Sequence, residues 1–181
     1  MKKYLIVCIT LICIILSLLS CTTKEETVPT PISNSESNDL FTLTIYADND
    51  KYKKHTPVDC YATLKYVGDE PITVYHSDPM AVFIIEDDKY FPYGYGGIRQ
   101  DVLINTTFEP NEEIRLEFQK NGGWSADDPN VAFYEEFYNE KDLILPKGEY
   151  KLSVNLRYSL DEDKVVETIQ SLNASINILV K

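Results

Sequence analysis

Apolar and polar residues alternate along most of the chain after residue 39. In Leu40–Tyr46, every second residue from the phenylalanine onward is large and apolar, and threonines lie between them. The same period of two returns in Val58–Val67 and Tyr150–Tyr158. Because a strand places successive side chains on opposite faces, this period predicts strands with one buried face. Turn sequences such as Gly68–Pro71 separate the segments, and together they predict an all-β fold, an antiparallel β-sandwich of seven to eight strands.

Two neighbouring segments predict a hairpin. Val102–Phe108 and Ile114–Phe118 are both rich in apolar and β-branched residues, and the turn sequence Glu109–Glu112 joins them. Strands that are this close in sequence usually pair with each other.

One segment, Ala126–Glu140, departs from the period of two. Asp128 is placed to act as an N-cap, and Pro129 suits the first helical position. The aromatic residues are spaced four apart, in the pairs Phe133 and Phe137, and Tyr134 and Tyr138. This spacing predicts one short helix that lays aromatic rings on the sandwich, within a long loop over residues 119–147.

A basic and then apolar stretch opens the chain. Two lysines precede the mostly apolar segment Tyr4–Ser20. This segment is shorter than the roughly 18 clean apolar residues of a membrane span, which favours a secretory signal peptide. At its end, Leu18–Cys21 resembles the lipobox of bacterial lipoproteins. The resemblance implies that residues 1–20 are removed and that Cys21 carries a thioether-linked diacylglycerol. An ordinary signal peptide and an uncleaved anchor are the alternatives.

The polar segment that follows predicts a flexible tether. Residues 22–39 are rich in Ser, Thr, Pro, Asn and Glu and have too few apolar side chains to fold. Three regions are therefore expected: a signal peptide in residues 1–20, the lipidated cysteine and tether in residues 21–39, and a folded domain in residues 40–181. The domain has 142 residues (181 − 39), which is enough for one hydrophobic core.

Charge and cysteine content narrow the possible partners. Without the signal peptide, two of the 17 basic residues are lost, so 15 basic and 29 acidic side chains give a net charge near −14. Phosphate backbones repel such a chain, and no nucleic-acid partner is expected. We expect membrane attachment through the lipid on Cys21. Cys60 is the only other cysteine outside the signal peptide, so no intrachain disulfide can form.

Part of the domain resembles a known fold family. Leu145–Leu156 resembles the entry to the penultimate strand of immunoglobulin-like sandwiches, where a tyrosine after the turn hydrogen-bonds the backbone; Tyr150 is the matching residue. The layout is also similar to the immunoglobulin-like domain called the BsuPI-type proteinase inhibitor. The segments that carry this likeness are Ala62–Asp87, Glu109–Phe118 and Leu145–Val154. The resemblance implies an immunoglobulin-like β-sandwich and, as an alternative activity, proteinase inhibition. The insertion Trp124–Glu140 and the export signal depart from that family, and no inhibitory residue can be matched.

Candidate catalytic residues are few. His55 lies in a polar loop, where a solvated side chain is expected. His76 extends the inward face of its strand, which favours a structural histidine with satisfied hydrogen bonds. Cys60 lies mid-strand on the apolar face, which favours a small core residue over a nucleophile. The sequence contains no hydrolase elbow, zinc-protease motif or phosphate-binding glycine loop. We expect no catalytic residues, no cofactor and no enzymatic activity.

Acidic loops raise the possibility of a calcium site. Asp48–Asp50 and Asp127–Asp128 place carboxylate oxygens close together, as calcium requires. Neither has the glycine and closing glutamate of an EF-hand loop. Loop and capping hydrogen bonds explain these acids more simply, so no metal site is expected.

Aromatic residues are concentrated in two loops. Tyrosines alternate with glycine and proline in Lys89–Gly97, and the only tryptophan lies in a second loop. Such side chains offer large, stiff contact surfaces. The candidate binding residues are Tyr90, Tyr93, Tyr95 and Trp124. If successive strands alternate in direction, the turn Gly68–Pro71 and the loops 87–100 and 119–147 lie at one end. The alternative is that the rings cover the core and edge of the sandwich.

These observations favour a non-enzymatic binding or interaction module. We expect a bacterial lipoprotein on the outer face of the cytoplasmic membrane, with a protein or a glycan as its partner. The alternative is an exported proteinase inhibitor of BsuPI-like layout.

Overall fold

A computed structural model describes residues 30–181, so the predicted signal peptide and Cys21 lie outside the described residues. The strands are β1 (Ile32–Ser37), β2 (Phe41–Ala47), β3 (Lys51–Tyr52), β4 (Cys60–Tyr66), β5 (Ile72–Asp78), β6 (Ala81–Glu86), β7 (Tyr95–Gly96), β8 (Gln100–Phe108), β9 (Glu113–Glu117), β10 (Gly148–Tyr158) and β11 (Gln170–Val180). Helix α1 (Val131–Asn139) lies between β9 and β10. Within residues 30–181, no helix has both the length and the apolar character needed to cross a membrane.

Two sheets pack face to face. One has the order β1-β2-β4-β9 and the other β3-β11-β10-β6-β7, while β5 and β8 form a two-stranded ribbon. Every pairing is antiparallel except that of the short β3 with β11. The predicted all-β sandwich with one short helix in a long loop is confirmed. The described chain has more strands than the seven to eight expected, because β1, β3 and β7 lack the alternating apolar residues on which the prediction depended.

Alternate residues of the long strands form the core between the sheets. Leu43 and Leu64 come from one sheet, Leu152 from the other, and each is 2% exposed or less. Phe41 and Tyr158 meet across the sandwich edge-on, with ring centroids 5.1 Å apart. Each fully buried side chain of this size stabilises the fold by about 1.5–3 kcal/mol. The period of two therefore identified the buried face of these strands.

The predicted tether is wrong in its last part. The segment ISNSES is strand β1, which pairs with β2 along its whole length. Only Ile32 is half-buried; backbone pairing and side-chain bonds, such as that from Asn34 Nδ2 to Ser175 O (3.0 Å), hold the strand. An edge strand with one face in solvent needs few apolar residues, and its polar composition resembles that of a linker. The folded domain therefore begins near Thr30 rather than at Leu40.

The predicted hairpin between the segments around Glu109–Glu112 does not form. β8 pairs with β5, and β9 pairs with β4 in the first sheet. The turn still reverses the chain, with Glu112 N donating to Glu109 O (3.0 Å). Phe108, the last residue of β8, is fully buried next to it, with its ring centroid 5.1 Å from that of Phe41. Burial of this ring fixes the crossing point of the chain between the ribbon and the first sheet.

Strands β5 and β6 lie one after the other along β10, and both run antiparallel to it. This arrangement changes the expected grouping of loops. Tyr75 of β5 bridges Ser159, and β6 pairs with residues 151–156 of β10. Because the chain does not reverse between β5 and β6, the loop 87–100 emerges at the opposite end from Gly68–Pro71. The expected single grouping is wrong for that turn. The loops 87–100 and 119–147 do share an end, which also holds β3 and the first residues of β10; we call it the helix end.

Helix α1 begins later than predicted. Asp128 and Pro129 were expected at the N-cap and first helical positions, but the helix begins at Val131 and Asn130 is its N-cap residue. The Asp128 carboxylate accepts a hydrogen bond from Asn130 N (2.8 Å), and its carbonyl accepts one from Val131 N (3.0 Å). This is a turn in which the side chain bonds the backbone two residues on. The aspartate therefore closes a turn before the helix instead of capping it.

Tyr150 folds back onto the backbone as the resemblance implied. Its Oη donates a hydrogen bond to Pro146 O (2.9 Å), and the side chain is 2% exposed. Burial raises the pKa of the Tyr150 phenol, so it stays a protonated donor at physiological pH. The contact fixes the entry of β10 at the helix end.

Candidate functional site: an aromatic groove at the helix end

An aromatic cluster packs α1 against the sandwich. Its members are Tyr90, Phe91, Tyr95, Trp124, Phe133, Tyr134, Phe137 and Tyr138. Phe91 lies at the centre, 2% exposed, with its ring centroid 5.5 Å from Phe137 and 5.1 Å from Tyr95. Aromatic pairs at such distances contribute about 0.5–1.5 kcal/mol each beyond the buried area. The four-residue spacing therefore predicted correctly that the helix carries its rings onto the sandwich.

A tight turn places Phe91 inside the cluster and Tyr93 outside it. Asp87 Oδ1 accepts hydrogen bonds from the backbone N–H groups of Tyr90 (2.8 Å) and Phe91 (2.5 Å). Gly94 N closes the turn on Phe91 O (3.1 Å) and has φ +76°, which glycine adopts without strain. The Tyr93 side chain is 99% exposed. Phe91 is therefore buried and Tyr93 exposed, although only one residue separates them in the sequence.

A lysine holds the end of the helix. Lys120 Nζ donates to the carbonyl oxygens of Phe137 (2.7 Å), Glu140 (2.5 Å) and Asp142 (2.6 Å). The ammonium group also lies 4.5 Å from the Phe137 ring centroid. Carbonyls at a helix C-terminus have no partner within the helix, and a cation beside them satisfies their hydrogen bonds and the helix dipole. The helix is therefore fixed to the loop that precedes it.

A groove of about 520 Å³ lies between α1 and the loop after β3. It is lined by Lys54, His55, Tyr90, Ala132, Phe133, Glu136, Phe137, Glu140, Ile144, Leu145 and Pro146. The Tyr90 and Phe133 rings lie 4.3 Å apart and give it an aromatic surface. The loop contributes Lys54 and His55, and the helix contributes Glu136. Within residues 30–181, neither Lys54 nor Glu136 forms an ion pair. The groove thus combines aromatic rings with unpaired charges of both signs.

A second depression, of about 580 Å³, lies on the other side of the turn that carries Tyr93. Its lining is mostly charged, and four of its charged groups already form two ion pairs, Lys151 with Glu86 (2.8 Å) and Lys51 with Asp50 (3.2 Å). Less apolar surface is left for a ligand than in the groove beside α1.

The four predicted binding residues do not form one surface. Tyr90 lines the groove. Tyr95 packs inside the cluster, stacked on Tyr134 at 5.7 Å. Trp124, 39% exposed, stacks on Tyr138 at 4.9 Å. Tyr93 points into solvent and contacts no other ring among the described residues. The alternative interpretation, in which the rings cover the core, therefore applies to Tyr95. It applies only partly to Trp124, because one face of this side chain is packed and the rest is exposed.

Sequence reasoning missed the charged residues of the groove. Lys54 lies in the same polar loop as His55, and Glu136 lies in the predicted helix, and nothing in either sequence segment indicates that both line one groove. The available signal was the predicted helix itself, whose Phe133 had to face some other part of the fold. Its neighbours depend on the path of the loop after β3, where Lys54 N donates to Lys181 O (3.0 Å) at the end of β11.

Of the candidate catalytic residues, His76 and Cys60 are buried in the described chain, whereas His55 is exposed. His76 is buried, with Nδ1 2.8 Å from Ser77 O and Nε2 2.8 Å from Thr106 Oγ1. Since a carbonyl oxygen only accepts, Nδ1 is the donor in the bond to Ser77 O. Burial raises the pKa of the Cys60 thiol to about 12, so it remains a poor nucleophile at neutral pH. His55 is exposed and lines the groove.

The acidic loops form local hydrogen bonds. Asp48 Oδ1 accepts from Tyr52 Oη (2.5 Å) and from Asp59 N (3.2 Å). Within residues 30–181, no group of three or more His, Cys, Asp or Glu side chains is arranged to hold a metal ion. Loop chemistry of the kind expected from the sequence explains Asp48.

Comparison with known proteins adds no further assignment, because no family model and no curated protein matches the chain.

Proposed function

We propose that this protein is a non-enzymatic binding module that holds a segment of a partner protein in the groove beside α1. The observation that carries the proposal is the union of an aromatic surface, Tyr90 and Phe133, with unpaired charges on facing elements, Lys54 and Glu136. Ligand sites typically combine apolar area with a few placed polar groups, and a volume of about 300–1,000 Å³ is usual.

The charges of the groove favour a protein segment over a glycan. A neutral sugar would stack on Tyr90 and Phe133 but would leave Lys54 and Glu136 without counter-charges. A peptide with one basic and one acidic side chain pairs with both, and its apolar residues cover the rings. The proposed ligand is therefore an extended peptide segment of mixed charge.

We place the protein on the outer face of the cytoplasmic membrane of a bacterium, anchored by lipid on Cys21. Thr30 N donates to Asn49 Oδ1 (3.0 Å), and Asp50 N donates to Thr30 O (3.1 Å), so the chain is held from Thr30 onward. The eight residues between Cys21 and Thr30 (29 − 21) can span at most about 30 Å even when fully extended. Since Asn49 precedes β3 at the helix end, this anchor would hold the groove close to the membrane.

The groove predicts a charge-dependent peptide binder. Reversal of Glu136 to arginine should weaken binding of groove ligands at least tenfold, which corresponds to about 1.4 kcal/mol. The matched control is Glu135→Arg, the same change on the neighbouring exposed residue, which does not line the groove. The probe is a random 12-residue peptide display library, selected on the wild-type protein, with a glycan array tested in parallel.

We expect selected peptides to lose binding to Glu136→Arg, keep it on Glu135→Arg and weaken on Lys54→Glu. Peptides that bind all variants equally, or binding to glycans alone, would refute the proposed ligand.

The exposed turn favours one second candidate, an exported proteinase inhibitor. Tyr93 projects fully into solvent from a turn that Asp87 and Gly94 brace, and a braced, protruding loop is what a protease cleft can accept. An aromatic side chain at its tip fits the hydrophobic specificity pocket of a chymotrypsin-like protease.

The inhibitor candidate predicts that the protein slows a protease that cleaves after aromatic residues, and that Tyr93→Ala removes at least 90% of this inhibition (about 1.4 kcal/mol). The measurement is the steady-state hydrolysis rate of a chromogenic substrate. Val166→Ala, at another exposed apolar position, is the control. Unchanged rates across a panel of secreted proteases would exclude this candidate.

A further inference from the structure

The sheet edges of the described chain differ sharply in their protection. β3 and β7 are edges of two residues each, and β1 is a polar edge with serines, an asparagine and a glutamate. β9 carries Glu113, Arg115 and Glu117. β8 is different: it has nine residues, pairs only with β5, and contains one charged residue, Asp101, with neither lysine nor proline. Natural edge strands usually carry such residues to prevent pairing with another chain.

The outer edge of β8 is also apolar in its middle. Val102, Leu103 and Ile104 are 44%, 54% and 38% exposed. Because side chains alternate, Leu103 lies on one face of the ribbon and the other two on the opposite face. An additional strand would therefore find apolar partners on both faces.

We propose that β8 pairs antiparallel with β8 of a second copy of the chain, with Leu103 on the two-fold axis. Leu103 then faces its own copy, and Val102 faces Ile104 of the second copy. Such a pairing is self-complementary, as a two-fold interface must be. The two ribbons join into one four-stranded sheet with the order β5-β8-β8-β5.

Charge supports a second copy as the occupant of this edge. In this register Asp101 faces Asn105 of the second copy, and the two Asp101 residues lie four positions apart along the strands. At about 3.4 Å per residue, this is about 14 Å, beyond the screening length of about 10 Å at 0.1 M salt. This register therefore places no like charges opposite each other within the two β8 strands.

The position of β8 in the ribbon supports the pairing as well. The ribbon is joined to the second sheet through the bridge between Tyr75 of β5 and Ser159, so β8 is its outer strand and has no strand on its other side among residues 30–181. β8 is exposed over most of its length, and only its final residue, Phe108, is fully buried. Pairing satisfies the outer backbone groups of both copies. The strand contact alone is small beside the roughly 1,200 Å² of a standard interface, so we expect a weak dimer that gains strength where many copies are held together.

Cysteine cross-linking in the full-length protein, in the cells that express it, tests the pairing. Facing residues of an antiparallel pair have Cα atoms about 4.5–5.5 Å apart, within the range of a disulfide. We expect Leu103→Cys to form a covalent dimer on mild copper oxidation at least about tenfold faster than Val166→Cys, an exposed apolar control in another loop. The native chain, in which Cys60 is buried, measures the background.

The register gives a second, independent readout. The double variant Val102→Cys/Ile104→Cys should cross-link as fast as Leu103→Cys, because residue 102 faces residue 104 of the second copy. The single variant Val102→Cys should cross-link more slowly, because residue 102 of the second copy lies diagonally opposite, about 7–8 Å away. Dimer formation that is equal at residues 103 and 166, or absent at 103 and in the double variant while the domain remains folded by circular dichroism, overturns the proposal.

Discussion

Phe91→Ala should destabilise the domain by about 3–5 kcal/mol, the range for removal of a buried phenylalanine ring. The side chain is 2% exposed, and its ring contacts Tyr95 and Phe137 of the aromatic cluster and Tyr150 at the entry of β10. An alanine would leave a cavity between the helix and the sandwich that these rings can only partly fill. Because α1 forms one wall of the groove, we also expect the variant to lose peptide binding.

Tyr93→Ala is the matched control, two residues away in the same turn. Its side chain is 99% exposed, so its removal should change stability by less than about 0.5 kcal/mol. The measurement is urea unfolding at constant slope, followed by circular dichroism and by the fluorescence of Trp124, which stacks in the cluster. Equal losses for both variants would show that the turn, and not the Phe91 ring, holds the helix.

Cys21→Ser should abolish lipid attachment completely. The thiolate is the strong nucleophile of the cysteine side chain, and a serine hydroxyl cannot form the thioether that the lipobox resemblance implies. Each buried methylene of an acyl chain contributes about 0.8 kcal/mol, and two chains give stable anchoring where one is marginal. We therefore expect the native protein to incorporate labelled palmitate and the variant to incorporate none.

Mass spectrometry of the native protein distinguishes the alternatives. A mature N-terminus at Cys21 with attached acyl chains is the expected result. An unmodified N-terminus after a cleaved signal indicates an ordinary secreted protein, and retention of residues 1–20 indicates an uncleaved anchor. Cys60→Ser is the control, because the Cys60 thiol is buried within the domain. This variant should incorporate as much labelled palmitate as the native protein.

Some functional residues could be recognised from sequence because their signal is local. The turn before Tyr150 and the four-residue spacing of Phe133 and Phe137 each lie within a few residues, and both predicted contacts are present. The start of α1 was misplaced by two residues because Asp128 has the same side-chain chemistry in a turn as in an N-cap. The groove had no local signal, because Lys54 and Glu136 line one groove only after the loop and the helix have packed.

The sequence by itself determined the strand character, the buried faces and the helix, because these depend on periodicity within one segment. The tertiary structure alone decided that β1 is a strand and that β8 leaves its neighbour β9 to pair with β5. It also decided that the outer edge of β8 has no partner strand within residues 30–181. The physical reason is that every residue type except proline offers the same backbone hydrogen bonds to a neighbouring strand. Which strands pair is therefore decided by the packing of the whole domain, and the groove and the β8 edge result from that packing.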